Sequence, residues 1–271
     1  MSTTIDFRTT ETQPFILLPA FINGIGPFQF VLDTGAGVPI ITEELAKTVA
    51  LQNVEVKEAL GAGGKKIGVS IGLAGSIIVG GSKVENAKVG IMETLPKCVG
   101  EGVIGYDFLK HFVVTIDYMH NTLTLAAPDE LAGNDTFLSA SMPLKLARPD
   151  RPIILVDVLV DGRNTYLFIL DTGASQTVVS PALSQQMGVK SPQGDIILGA
   201  AGPVASSVGM LKSLRIGDSL LENVLVLVSD IFSPLNQAVG ATMHGILGYN
   251  VLRRFKITID YPNEKLQFQK E

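Results

Sequence analysis

A chain of 271 residues, 46% hydrophobic and 17% charged, is long enough for two modest lobes with cores of their own and too apolar to be disordered. Its formal net charge of −5 comes without a basic cluster, which argues against a nucleic-acid surface. One cysteine, Cys98, cannot close an intrachain disulfide, and His111, His120 and His244 are too scattered for metal-ligand spacing; no metal or other cofactor is expected.

The opening residues, Met1 to Asp6, lack the basic-then-apolar pattern of a secretory leader. The compartment stays open: cytoplasmic by the sequence as given, periplasmic or secreted if a leader has been removed. The longest uncharged run, Ile67 to Ser82, is 16 residues and glycine-rich. A spanning helix needs roughly 18 or more apolar residues, so strands are expected there and no membrane segment.

The first elements build towards an acid. Pro14 to Leu17 and Phe28 to Leu32 flank an Asn23-Gly24 turn, and the second run stops at Asp33-Thr34-Gly35-Ala36-Gly37. Asn-Gly between apolar runs predicts a hairpin, because both positions tolerate positive φ. A buried strand that delivers a carboxylate at its end costs stability and calls for a reason. Thr42 before Glu43 and Glu44 predicts a capped short helix. The stretch Leu60-Gly61-Ala62-Gly63-Gly64 fails as a phosphate loop, because Ala59 stands at the leading glycine and Lys65 is followed by Lys66. It reads as a mobile hairpin tip. Gly102-Val103-Ile104-Gly105-Tyr106-Asp107-Phe108-Leu109 follows, then Val114 to Tyr118 and a turn at His120-Asn121.

Everything then repeats. Pro152 to Leu155, Asp161-Gly162, and Tyr166 to Leu170 ending at Asp171-Thr172-Gly173-Ala174-Ser175 lie 138 residues further on. Ser180-Pro181 predicts the second short helix. Leu198-Gly199-Ala200-Ala201-Gly202 keeps the same offset. Gly245 to Leu252 and Ile257 to Tyr261 fall at an offset of 143, so the second unit gains five residues, placed around Ile231 to Met243. The proline- and glycine-bearing stretch from Ala126 to Arg151 divides the copies. This predicts a first lobe over 1–127, a linker over 128–143 and a second lobe over 144–271, with Leu144-Lys145-Leu146 as the counterpart of Ile5-Asp6-Phe7.

One Asp-Thr-Gly alone is a turn at a strand end. Two of them, each followed by the apolar-apolar-Gly element, suggest that the carboxylates meet. Two such groups held close cannot both ionise cheaply, so they share a proton. The ionised member can then take a proton from water while its partner protonates a carbonyl oxygen, hydrolysing an amide without metal or covalent intermediate.

These two motifs resemble the catalytic signature of aspartic peptidases, and the likeness covers nearly the whole chain. There is no tryptophan, the region Glu58 to Gly72 has no aromatic, and Ala36 and Ala174 follow the glycines, so each copy is similar to a retroviral-type lobe. The chain looks like that homodimer fused, as in bacterial tandem proteins of this type. The resemblance implies an all-β fold of two similar retropepsin/pepsin-like β-barrel lobes related by a pseudo-twofold axis, each with a short helix. It implies an aspartic endopeptidase acting on peptide or protein substrates, as a monomer with its lobes paired within the chain. Asp33 and Asp171 are then the water-activating pair. Thr34, Gly35, Ala36, Thr172, Gly173 and Ala174 would support their loops. Gly37 and Ser175, with the tips Gly61, Ala62, Gly63, Gly64 and Gly199, Ala200, Ala201, Gly202, would contact substrate. Gly37 departs from the polar residue usual at its position, so the halves should not contact substrate alike. A peptide-binding module without catalysis is the alternative; its mark would be a lost aspartate, and neither is lost.

Overall fold

The structure, a computed structural model, describes residues 2–60, 66–96, 99–129, 140–149, 151–189, 193–199 and 202–270. The fold is all-β, with 54% of residues in strands and 13% in helices. Two compact units divide it: Met1–Lys57, Gly68–Leu144 and Arg254–Glu271 form one, and Glu58–Ile67 with Lys145–Arg253 the other. Cys98 lies outside the described residues. Among those described, no helix is long and apolar enough to cross a membrane.

After β1 (Thr3–Asp6), the first copy runs β2 (Leu17–Ile22), β3 (Ile25–Leu32), β4 (Ile40–Thr42), α1 (Glu43–Thr48), β5 (Gln52–Leu60), β6 (Lys66–Val79), β7 (Ser82–Met92), β8 (Gly102–Ile104) and α2 (Tyr106–Leu109). Its strands form a sheet in the order β2-β3-β8-β4-β7-β6-β5, and a further pairing of β2 with β6 curls it back on itself. Strict alternation in β2 turns Leu18, Ala20 and Ile22 inward, and like Phe30, Leu32, Ile77 and Phe108 they have no solvent exposure. Each large apolar side chain buried so contributes about 1.5–3 kcal/mol. The predicted hairpin is present: Asn23 and Gly24 both have positive φ between Ile22 and Ile25. Asn23 also clamps its surroundings, accepting from Ser76 N at 3.2 Å and donating to Val49 O at 2.7 Å. Thr42 caps α1 by accepting from Leu45 N.

The second copy follows the same plan. It comprises β11 (Met142–Pro143), β12 (Lys145–Arg148), β13 (Arg151–Val160), β14 (Asn164–Leu170), β15 (Val178–Val179), α3 (Pro181–Met187), β16 (Gln193–Gly199), β17 (Gly202–Ile216) and β18 (Ser219–Val228), with β9 (Val113–Asp117) and β10 (Thr122–Ala126) preceding it in the chain. Then come α4 (Phe232–Val239), β19 (Gly245–Leu247), α5 (Tyr249–Leu252), β20 (Phe255–Asp260) and β21 (Lys265–Lys270). The sheet order is β12-β13-β14-β19-β15-β18-β17-β16, again curled, here by pairing of β13 with β17. Asp161 repeats the clamp, its carboxylate accepting from Ser213 N at 2.9 Å. Ser180 caps α3 with Pro181 in its first turn, as the sequence predicts.

The segment that carries the five extra residues holds a helix. α4 lies between β18 and β19, and Phe232, Val239 and Met243 pack with Leu155, Ile169, Val178 and Ile246. Asn236 closes the return by bonding both ways to the Met243 backbone. The terminal strand differs from expectation. Met142-Pro143 pairs with β21 and Leu144 N donates to Glu264 O, as Phe7 N donates to Asn121 O, so Met142-Pro143-Leu144 is the counterpart of Ile5-Asp6-Phe7. Lys145 and Leu146 are taken instead by pairing with β13. Pro143 suits this short edge, where its missing N–H costs nothing.

A third sheet, β1-β10-β9-β20-β21-β11, lies within the first unit and pairs the repeated strands with each other: Thr115 faces Thr258, hydroxyls 3.2 Å apart. Asp117 anchors it. Its buried carboxylate accepts from His120 N at 2.9 Å, the His120 ring lies 3.0 Å away, and Lys256 approaches to 3.5 Å. Burial pushes this carboxyl up, but those hydrogen bonds and charges outweigh it and hold Asp117 below its ordinary value. A depressed folded value means stability present above the unfolded one and lost as pH falls through the folded one. Asp117→Asn, which keeps the backbone acceptor and loses the charge, should cost about 1–3 kcal/mol at neutral pH. The difference in Tm from wild type should close as pH drops below the usual carboxylate range. A difference independent of pH would contradict this role.

Candidate active site

Each acid stands where a buried strand meets a tight loop. Leu32, without exposure, is followed by a half-buried Asp33, whose N–H donates to Ile104 O at 3.0 Å and so extends the parallel pairing of β3 with β8. The Asp33 carboxylate accepts from Gly35 N at 2.8 Å, and Ala36 N donates to Asp33 O at 3.3 Å. Asp171 has the same set: its N–H to Leu247 O at 3.1 Å, its carboxylate from Gly173 N at 2.8 Å, its carbonyl from Ala174 N at 3.3 Å. Each carboxylate is thus held by a backbone N–H of its own loop.

The apolar-apolar-Gly element holds each loop from behind. Tyr106 N donates to Ala36 O and Tyr249 N to Ala174 O, both at 2.8 Å. A Cβ on Gly105 would lie 2.6 Å from Ala36 O and 2.7 Å from Val38 O; one on Gly248 would lie 2.5 Å from the Gln176 carbonyl carbon and 2.9 Å from Ala174 O. Only glycine lets these backbones approach so closely. Thr34 and Thr172 are buried, each 1% exposed.

The two loops differ just past the motif. Thr177 N donates to Asn250 Oδ1 at 2.7 Å, Asn250 Nδ2 donates to Leu225 O, and Gly248 N donates to the Thr177 hydroxyl. In the first copy Pro39 stands in place of Thr177 and has no N–H to give. Asp107, in place of Asn250, pairs with Lys110 at 2.6 Å instead. The sequence showed Tyr106-Asp107 beside Tyr249-Asn250 as aligned residues but assigned them no role; the signal was the concerted change of Pro39 with Asp107 and Thr177 with Asn250. Gly37 is exposed and Ser175 half-buried.

Of the glycine tips, Gly199 and Gly202 pair at the end of the β16–β17 hairpin. Ala200, Ala201 and Gly61 to Gly64 lie outside the described residues; the latter fall between β5 and β6. Tyr261, which no reading of the motifs singled out, stands edge-on to Tyr106 with ring centroids 5.6 Å apart. Its hydroxyl is buried and makes no hydrogen bond. Burial first, then Tyr106 and the charge of Asp33, hold this phenol far above its ordinary value. Among the described residues no group of three His, Cys, Asp or Glu could hold a metal ion.

Comparison with known proteins agrees with this geometry. Residues 156–251 match the family model described as "Aspartyl protease", and residues 18–111 match that described as "gag-polyprotein putative aspartyl protease". No curated protein matches. Among solved structures, the chain is similar to a retropepsin-like aspartic protease from Rickettsia conorii at 19% identity, covering 46% of this chain and 90% of that one with a TM-score of 0.36. With one aspartyl protease model on each copy, and the same backbone-locked aspartate in both, the chain belongs to the aspartyl proteases, as a tandem of two copies.

Proposed function

We propose that the chain is an aspartic endopeptidase in which Asp33 and Asp171 share one proton and activate water between two lobes, residues 1–127 and 144–271. The observation that carries this reading is the identical fixing of the two carboxylates, each by a glycine N–H at 2.8 Å and each half-buried at a strand end. An inert copy would have no need to keep that arrangement in both loops. The ionised carboxylate takes a proton from the water, which attacks the peptide carbonyl carbon; the protonated one gives its proton to the carbonyl oxygen. Collapse of the resulting gem-diol expels the amine, which takes up a proton. Metal and cofactor have no part in this scheme.

The substrate is an extended peptide, taken up under the β16–β17 tip and its counterpart between β5 and β6. One chain suffices, because a short tether between copies gives an effective concentration in the millimolar range, roughly that of short flexible linkers. Incubating purified protein with a peptide library, with and without pepstatin, tests the proposal. Cleavage blocked by pepstatin is expected. Peptide binding with no cleavage at any pH would favour the non-catalytic module instead.

A further inference from the structure

The second copy carries its glycine tip on a ribbon of two strands. β18 ends at Val228, so its ladder with β17 stops at the pair of Ser207 with Val228. From there β17 goes on with β16, the edge of the sheet, through the pairs from Asp195–Ser206 to Gly199–Gly202. A register shift between Gln193 and Asp195 bends the ribbon at its root. Two strands by themselves are marginally stable in water, so what holds the root decides how well the ribbon is placed.

One side chain reaches across that root. Ser229, 3% exposed, donates its hydroxyl to Ala205 O at 2.9 Å, two residues nearer the tip than the last pair of β17 with β18. The hydroxyl adds a rung to the ladder where the backbone of β18 has turned away. That backbone has turned to follow the chain leaving the Asp171 loop. Leu227 N donates to Thr177 O at 2.9 Å, and Ser229 N to Val179 O at 3.1 Å. Val179 belongs to β15, which pairs with β19, and the carbonyl of Leu247 at the end of β19 takes the Asp171 N–H. Ser229 therefore holds the ribbon with its side chain and the exit of the Asp171 loop with its backbone. In the first copy Gly90 N donates to Pro39 O as Leu227 N does to Thr177 O, which puts Met92 in the place of Ser229. A thioether has no hydrogen to donate.

We infer that Ser229 is a positioning residue for peptide binding: its hydroxyl sets the β16–β17 ribbon against the Asp171 loop, so that an extended peptide meets both already in register. This rests on the proposed endopeptidase. Without the rung, the free ribbon takes up more conformations, and binding a peptide has to order it. That cost falls equally on the bound peptide and on its transition state, so it raises KM and spares kcat.

Ser229→Ala should therefore raise KM for a cleaved peptide about threefold to tenfold, the worth of one hydrogen bond, with kcat within about twofold of wild type. In the free variant, hydrogen exchange should quicken at the amides of residues 195–199 and 204–206, while those of β13 and β14 keep their wild-type rates. Ser180→Ala is the control for a loss that is merely structural. It removes another buried serine hydroxyl of the same unit, the cap of α3, and should lower Tm without moving KM or exchange in the ribbon. An unchanged KM in Ser229→Ala, an equal rise in Ser180→Ala, or exchange quickened evenly over the unit would overturn the role of Ser229. Failure of the wild-type protein to cleave any peptide sinks the endopeptidase and this role together. Cleavage with an unmoved KM in Ser229→Ala sinks the role alone.

Discussion

Asp33→Asn and Asp171→Asn are each expected to lower kcat on the order of a thousandfold or more, with no loss of folding. An amide can neither hold a negative charge nor share the proton, so one substitution disables both roles. The backbone locks survive it, because the Asn side-chain oxygen still accepts from Gly35 N or Gly173 N. Since the two act as a unit, the double variant should be no slower than either single one. Steady-state kinetics on one peptide substrate, with circular dichroism as a check on folding, measures this. A single variant that kept a tenth of wild-type turnover would contradict a shared role.

Gly248→Ala should be among the most damaging changes that touch no reacting group. The new Cβ would press on the Gln176 carbonyl, which is backbone and cannot rotate away, and on Ala174 O, the acceptor that ties the loop to Tyr249. Relief requires the Asp171 loop to separate from the start of α5. A loss of about 2–4 kcal/mol is expected, in the range of forced overpacking, with activity falling further than stability because the carboxylate itself is displaced. Gly105→Ala should act alike through Ala36 O and Val38 O. Gly68→Ala is the matched control, since its Cβ would meet nothing within 4 Å. Urea unfolding of the three variants separates them; equal stability for Gly248→Ala and Gly68→Ala would refute the close-approach argument.

What was legible in the sequence was local or repeated. Asn23-Gly24, the caps at Thr42 and Ser180, and the two Asp-Thr-Gly-Ala loops each carry their chemistry within a few residues, and repetition, first at an offset of 138 and then of 143, reinforced them. The extra segment near Ile231 to Met243 was located by counting, but its helix was not foreseen, because Phe232, Val239 and Met243 become a core stripe only against Leu155 and Ile246. The terminal strand was misplaced by two residues, since Leu144-Lys145-Leu146 reads as a strand and only pairing decides which neighbour claims it. Tyr261 was invisible for a similar reason. It follows a strand in the second copy, and its ring partner Tyr106 lies in the first, so no window of sequence holds them together.

The central claim is one active site per chain, built from both aspartates, and calorimetric titration with pepstatin reads that number directly. An inhibitor whose hydroxyl occupies the place of the attacked carbon needs the shared proton of the pair, so it should bind at one per chain. Either Asp33→Asn or Asp171→Asn should abolish binding. Two inhibitors per chain, one per two chains, or undiminished binding to either variant would show that the two carboxylates do not form a single site within the chain.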